Sequence, residues 1–185
     1  MEEATHKKEY WYVLFVFNGK EHKVAKDFAV RFKGESVSSF VPTKDKVFRG
    51  KGKNKIEKEL LFPGYVLVES TLTSKEFLRL AVEYVFTSSD IIKILSNSAE
   101  RSSEIAIKDE ERNAWMRLLG HTNNIEISIG FIEKDKVHIT HGPLTGIEGV
   151  IKKINRHKRE ATIEIEFMGR LTETKIAVEI MKKSV

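Results

Sequence analysis

The 185-residue chain contains no cysteine. That excludes disulfide staples, thiolate nucleophiles and cysteine-ligated zinc, and it agrees with a reducing compartment. Only three prolines occur, so no proline-rich recognition segment is available. No apolar run reaches the roughly 18 to 20 residues that span a bilayer, and the short charged N-terminus has no signal-peptide core. A cytoplasmic protein with no membrane contact is expected. The chain also lacks a phosphate loop ending in Gly-Lys-Ser/Thr and a nucleophile elbow. Its six histidines are scattered. The closest pair, His138 and His141, are three apart in an expected strand and so face opposite sides, which disfavours a shared metal. No catalysis, cofactor or metal site is expected.

What the sequence has in quantity is charge. It carries 32 Lys or Arg against 27 Asp or Glu, a net +5 with a pI near 9.2, alongside 41% apolar residues. This is the balance of a globular protein whose surface favours an anionic partner. The distribution says more than the total. Residues 44–58 hold Lys44, Lys46, Arg49, Lys51, Lys53, Lys55 and Lys58 against Asp45 and Glu57, interrupted by Gly50 and Gly52, which reads as a basic hairpin tip able to track phosphate. A second cluster comprises Lys152, Lys153, Arg156, Lys158 and Arg159, followed by Arg170 and Lys175. Consecutive strand positions face opposite sides, so Lys152 and Lys153 cannot both line one surface. Arginine stacks on unpaired bases, which makes an RNA loop a chemically sensible target for the remainder. In both clusters the competing reading is ordinary solvated charge.

Residues 10–17 are continuously apolar or aromatic, as in a strand buried on both faces. Asn18 and Gly19 break it, and Val24, Ala25, Phe28 and Phe32 recur at helical spacing up to Gly34. Short β-prone runs follow at 37–41, 47–48, 60–62 and 65–68, punctuated by Pro63-Gly64. Ser74 is the expected cap of a helix bearing Phe77, Leu80, Ala81 and Tyr84. A strand is expected at 91–95. A third helix, capped by Asp109, carries Ala114, Trp115, Leu118 and Leu119 and stops at Gly120. Beyond a polar linker at 120–130, no helical period remains. Strands are expected at 137–139, 149–154, 162–167 and 174–180, with turns at Gly142-Pro143, His157-Lys158 and Gly169, closing as a small five-stranded barrel. Alternation over 161–167, together with Gly142, Pro143, Gly146 and Gly149, excludes a long helix there.

Three groups of residues, in this order, resemble the NusG transcription factors over nearly the whole chain. The first is Trp11-Tyr12-Val13 followed by a glycine turn and a helix. The second is Leu61-Phe62-Pro63-Gly64-Tyr65-Val66-Leu67-Val68, preceded by Val41-Pro42-Thr43. The third is Gly142-Pro143-Leu144 with Gly146 and Gly149, which is similar to a KOW motif, and Gly169-Arg170 matches the later turn of that barrel. The resemblance implies an α+β fold: an N-terminal antiparallel sheet with flanking helices (NGN-like, 1–119), a linker (120–130) and a C-terminal SH3-like five-stranded β-barrel (KOW, 131–185).

It also implies that Phe15, Phe62, Tyr65 and Leu67 bind the clamp helices of the largest RNA polymerase subunit. On residue pattern alone these four would be ordinary core. The candidate RNA-binding residues are Lys152, Arg156, Lys158, Arg159 and Arg170, with Lys51, Lys53 and Lys55. Their expected partner is a structured leader hairpin. Leu144, Ile147 and Met168 stand in loops where general members of the family present phenylalanine to a termination factor or a ribosomal protein, a departure that weighs against those partners. The chain is therefore expected to be a monomeric, specialised antiterminator promoting elongation at selected operons. The alternatives are a general elongation factor without sequence-specific RNA binding, or a KOW protein that binds the ribosome through a ribosomal protein.

Overall fold

The computed structural model describes residues 8–49, 54–96 and 104–181. In chain order the elements are β1 (Tyr10–Val16), α1 (Glu21–Arg31), β2 (Val37–Phe40), β3 (Thr43–Arg49), β4 (Asn54–Leu60), β5 (Tyr65–Ser70), α2 (Ser74–Thr87), β6 (Ile91–Ile94) and α3 (Asp109–Leu119). They continue as β7 (Asn124–Ile125), β8 (Ser128–Glu133), β9 (Lys136–His141), β10 (Ile151–Asn155), β11 (Glu160–Phe167) and β12 (Arg170–Met181). The fold is α+β, as expected. The chain divides into two compact units, Met1–Val41 with Pro63–Arg112, and Pro42–Phe62 with Asn113–Val185.

The first unit is built on a four-stranded sheet of order β2-β5-β1-β6. β1 pairs antiparallel with β5 on one side and β6 on the other, so its apolar sequence is explained by burial on both faces. Tyr12, Val13 and Leu14 are fully buried. Val24, Ala25 and Phe28 form the buried stripe of α1, and Phe77, Ala81 and Val85 that of α2. The two stripes meet β1 in an aromatic stack. Phe77 lies nearly parallel to Tyr12 with ring centroids 4.0 Å apart, and Phe28 sits 6.2 Å from Phe77. The Tyr12 hydroxyl donates to the Leu72 carbonyl at 2.6 Å, and burial pushes its pKa well above the ordinary phenol value. The cap of α2 is Thr73 rather than Ser74. The Glu76 carboxylate accepts from both the Thr73 backbone N–H, at 2.8 Å, and its hydroxyl, at 2.7 Å, a reciprocal box that Ser74 is one residue too late to make.

The second unit holds a five-stranded sheet of order β10-β11-β12-β8-β9 and a smaller sheet of order β4-β3-β7. β12 is its spine, pairing antiparallel with β11 from Ala177 to Arg170 and parallel with β8 from Val178 to Met181. Ala161 and Ile163 on β11 point inward and are fully buried. Residues 120–130, expected as a linker, contain a 3-10 turn at Gly120–Thr122, then β7 and the start of β8. A polar lock explains why this polar stretch is ordered. Buried Asn124 donates through Nδ2 to Asp45 Oδ1 at 2.9 Å and accepts from the Thr43 hydroxyl at 2.9 Å, while Asp45 Oδ2 accepts from the Ile127 N–H at 3.1 Å. The expected 47–48 run and Leu60 belong to one longer hairpin, paired from Thr43↔Leu60 to Arg49↔Asn54, and Leu61 and Phe62 lie beyond its end. Gly130 allows β8 and β9 to close up, because a Cβ there would lie 2.2 Å from the His138 carbonyl oxygen.

No helix among the described residues is long and apolar enough to cross a membrane. The aromatic stack gives the first stability prediction. Phe77→Ala should cost about 3–5 kcal/mol in urea unfolding. Thr73→Ala, which removes only the cap hydroxyl, should cost about 1 kcal/mol. Equal losses in the two variants would contradict this placement of the core.

Candidate functional site

The site expected from the sequence centres on the Pro63-Gly64 turn, which connects to the first residue of β5. β1 and β5 are in register so that Phe15 stands opposite Tyr65. Gly64 adopts φ +83°, and a Cβ there would meet Asn18 Oδ1 at 3.0 Å and Phe15 Cε2 at 3.2 Å. Only glycine accepts both that backbone conformation and that closeness. The Gly64 carbonyl accepts from the Val16 N–H at 2.8 Å, and its N–H donates to Glu21 Oε1 at 2.8 Å. Thus the turn is tied to the end of β1 and to the start of α1. Phe15 and Tyr65, both half-buried, place their rings 5.4 Å apart at the edge of this arrangement.

The four expected patch residues differ in burial. Leu67 shares a strand face with Tyr65 by the two-residue period, but it is 1% exposed and sits opposite Val13 and Phe40, in the interior of the sheet. Phe62 belongs to the second unit and is 9% exposed. Its ring stacks on Phe167 at 4.3 Å and meets the edge of Trp115 at 5.1 Å, and the Trp115 indole N–H donates to the Glu166 carbonyl at 2.7 Å. Phe62 is therefore part of an aromatic core. Phe15 and Tyr65 are the two that share an accessible surface.

The basic residues are likewise divided. Lys51 and Lys53 lie outside the described residues. Lys55 is exposed and pairs with Glu57 at 2.5 Å. Lys152 pairs with Glu164 at 2.7 Å, and Arg159 with Glu179 at 3.1 Å. Arg156 and Lys158 are exposed in the turn between β10 and β11, where the Lys158 N–H donates to the Asn155 side chain at 3.0 Å and Arg159 adopts φ +55°. Arg170 opens β12 opposite Phe167, at the far end of β11 from that turn. At about 3.3 Å per strand residue the two ends are roughly 20 Å apart, so Arg170 and Arg156 do not form one cluster. Among the described residues, no group of three or more His, Asp or Glu is placed to hold a metal. His138 stacks on Phe131 instead.

A family model described as "Transcription termination factor nusG" matches residues 9–116, more than half of the chain. The chain belongs to the NusG family of transcription factors. A "Transcription termination/antitermination protein NusG" of Halalkalibacterium halodurans is 25% identical over 179 residues, 94% of this chain and 97% of the relative. That of Bacillus subtilis is 24% identical over 168 residues, covering 88% and 91%. The solved structure described as "Domain interaction in Thermotoga maritima NusG" matches with a TM-score of 0.51 at 22% identity, covering 92% of this chain and 94% of that one. That likeness bears out the fold class.

Two residues, one in each unit, behave differently from what the sequence suggests. Nothing in the sequence marks Glu21 beyond an acid in the first turn of a helix, yet it is buried and holds the turn. Lys44 was counted with the solvated basic segment, yet it is 9% exposed, with its Nζ 3.4 Å from the Thr174 hydroxyl and 3.5 Å from Glu59. Burial lowers the Lys44 pKa, opposed by the Glu59 charge. Glu59 also binds Lys46 at 2.7 Å. Burial alone would raise the Glu59 carboxyl, but the Lys46 hydrogen bond and the two lysine charges outweigh it and hold the pKa below the ordinary value. A carboxylate so depressed contributes fully above its unfolded pKa of roughly 4.3, and that contribution fades as pH falls through the lower folded value. The urea midpoint of the second unit, followed through Trp115 in a Trp11→Phe background, should therefore drop more between about pH 6 and about pH 3 in the parent than in Glu59→Gln. Equal drops would show that the triad contributes nothing.

Proposed function

We propose that this NusG-family protein is a transcription elongation factor of the antiterminating kind, working by tethering. In this reading its Phe15 and Tyr65 rings seat on the clamp helices of the largest RNA polymerase subunit and limit pausing. The basic β10–β11 turn contacts RNA, a structured leader hairpin, so that elongation is promoted at selected operons. Residues 1–119 then act as the polymerase-binding part, 131–185 as the KOW part, and 120–130 as the connection between them. The protein acts as a monomer and supplies binding and no bond chemistry.

The observation that carries this reading is the Phe15–Tyr65 pair, held by a turn whose backbone is tied on both sides. Rigid aromatics lose little side-chain entropy on docking, and a few of them commonly dominate an interface. The names of the relatives, which pair termination with antitermination, support the transcriptional part. The burial of Leu67 leaves it a supporting role beneath the pair, and Phe62 would reach a polymerase surface only if its stack on Phe167 opened. For RNA, the exposed Arg156 and Lys158 are better placed than Lys152 and Arg159, which are offset by Glu164 and Glu179. A ribosomal or termination-factor partner on the KOW loops is disfavoured because Leu144 and Met168 are buried in the second unit.

Binding of the full chain to core polymerase tests the first half. Tyr65→Ala and Phe15→Ala should each weaken it by about tenfold or more while leaving the circular dichroism spectrum unchanged. Undiminished affinity in a folded variant would sink the patch. The second half is tested by a leader RNA and a scrambled duplex of equal length. Arg156→Ala with Lys158→Ala should hurt the leader more, on top of a salt slope of about −0.7 to −0.9 per phosphate contact. Equal binding to both RNAs would remove RNA recruitment and leave the polymerase reading standing.

A further inference from the structure

We infer that Glu21 is a positioning residue for the polymerase-binding pair, setting the orientation of Phe15 and Tyr65 through the backbone of Gly64; the inference rests on the polymerase reading above. Glu21 is the first residue of α1 and is 2% exposed. A carboxyl group so deeply buried needs a partner, because an unsatisfied polar group in the interior costs more than a formed hydrogen bond returns. Among the described residues its partner is not a cation. Oε1 accepts from the backbone N–H of Gly64 at 2.8 Å, across 43 residues of chain. The first turn of a helix is also where an acidic side chain is favoured by the exposed N–H groups of the helix.

The consequence is geometric. The Gly64 carbonyl is already engaged by the Val16 N–H at 2.8 Å, so the two faces of this residue are held by different elements, one by β1 and one by α1. Gly64 is also within contact of the Phe15 ring, its virtual Cβ lying 3.2 Å from Cε2, and the next residue is Tyr65. Without the acceptor, the Gly64 N–H is left buried and unpaired, and the Pro63-Gly64 peptide relieves this by turning toward water. That rotation is transmitted directly to Tyr65 and lifts it from its place opposite Phe15. The packing of α1 depends on Val24, Ala25 and Phe28, which Glu21 does not touch through this bond. Loss of the acceptor should therefore be felt at the turn before it is felt in the core.

The test compares Glu21→Gln, which retains a carbonyl oxygen in place of Oε1, with Glu21→Leu, which keeps similar bulk and has no acceptor; Tyr65→Ala serves as reference. In the full chain, Glu21→Gln should bind core polymerase within about threefold of the parent, and Glu21→Leu should bind about tenfold more weakly. Amide hydrogen exchange at Gly64 should be slow in the parent and in Glu21→Gln, and fast in Glu21→Leu, with exchange in β1 and α2 little changed. A merely space-filling role predicts that both variants are tolerated alike. Parental affinity in Glu21→Leu, with Tyr65→Ala impaired, overturns the positioning role and leaves the polymerase reading intact. Parental affinity in Tyr65→Ala overturns the polymerase reading, and the inference falls with it. Should Glu21→Leu fail to fold, exchange at Gly64 in the parent decides: slow exchange that Glu21→Gln preserves supports the bond, and fast exchange overturns it.

Discussion

The antiparallel pairing of β1 with β5 is the constraint on which the first unit depends. Its register sets Trp11 opposite Glu69, where the indole N–H donates to the carboxylate at 2.8 Å, and sets Tyr12 opposite Val68, on the face where Phe77 stacks. The same register sets Phe15 opposite Tyr65 at the accessible end. A slip of one residue would exchange the two faces, taking Phe15 off Tyr65 and Tyr12 off the face where Phe77 stacks. Core stability and surface chemistry are thus two readings of one alignment. The Pro63-Gly64 turn pins that alignment at the accessible end, since Gly64 is bonded to β1 and α1 at once.

Electrostatics in the second unit follow a different logic. The net positive charge suggests long basic surfaces, but several of the cations are engaged by acids on the same or a neighbouring strand. Lys44 and Lys46 share Glu59, Lys55 pairs with Glu57, and Lys152 pairs with Glu164. Exposed pairs of this kind add little stability each, but they cancel charge locally and so limit where an anion is attracted. The β10–β11 turn exposes Arg156, His157 and Lys158 together.

Much of the architecture could be read from the sequence, and the failures have physical causes. The β1 sequence YWYVLFV leaves no choice but a strand covered on both faces, and the stripes of α1 and α2 follow the helical period. β4, with the sequence NKIEKEL, carries polar residues on both faces and exposes Ile56, so it has no alternation to read. The linker expected at 120–130 rests on the polar, turn-prone stretch from His121 to Asn124 and so overlaps the start of β8, where Gly130 serves close approach to β9. At the site, the two-residue period correctly put Tyr65 and Leu67 on one face, but periodicity cannot tell which end of a strand is covered. The Phe62 stack on Phe167 and the Glu21 bond to Gly64 are long-range contacts, and single-sequence patterns hold no information about them.

The central claim is that the accessible end of the β1–β5 pair is the polymerase-facing surface. The most direct measurement is site-specific photocrosslinking: a photoreactive phenylalanine analogue at Phe15, in the full chain bound to polymerase, with a second at Phe86, which is 84% exposed on α2. The account predicts that the adduct from position 15 maps to the clamp helices of the largest polymerase subunit, and that position 86 gives none there. Clamp-helix adducts from position 86 and none from position 15 would contradict it.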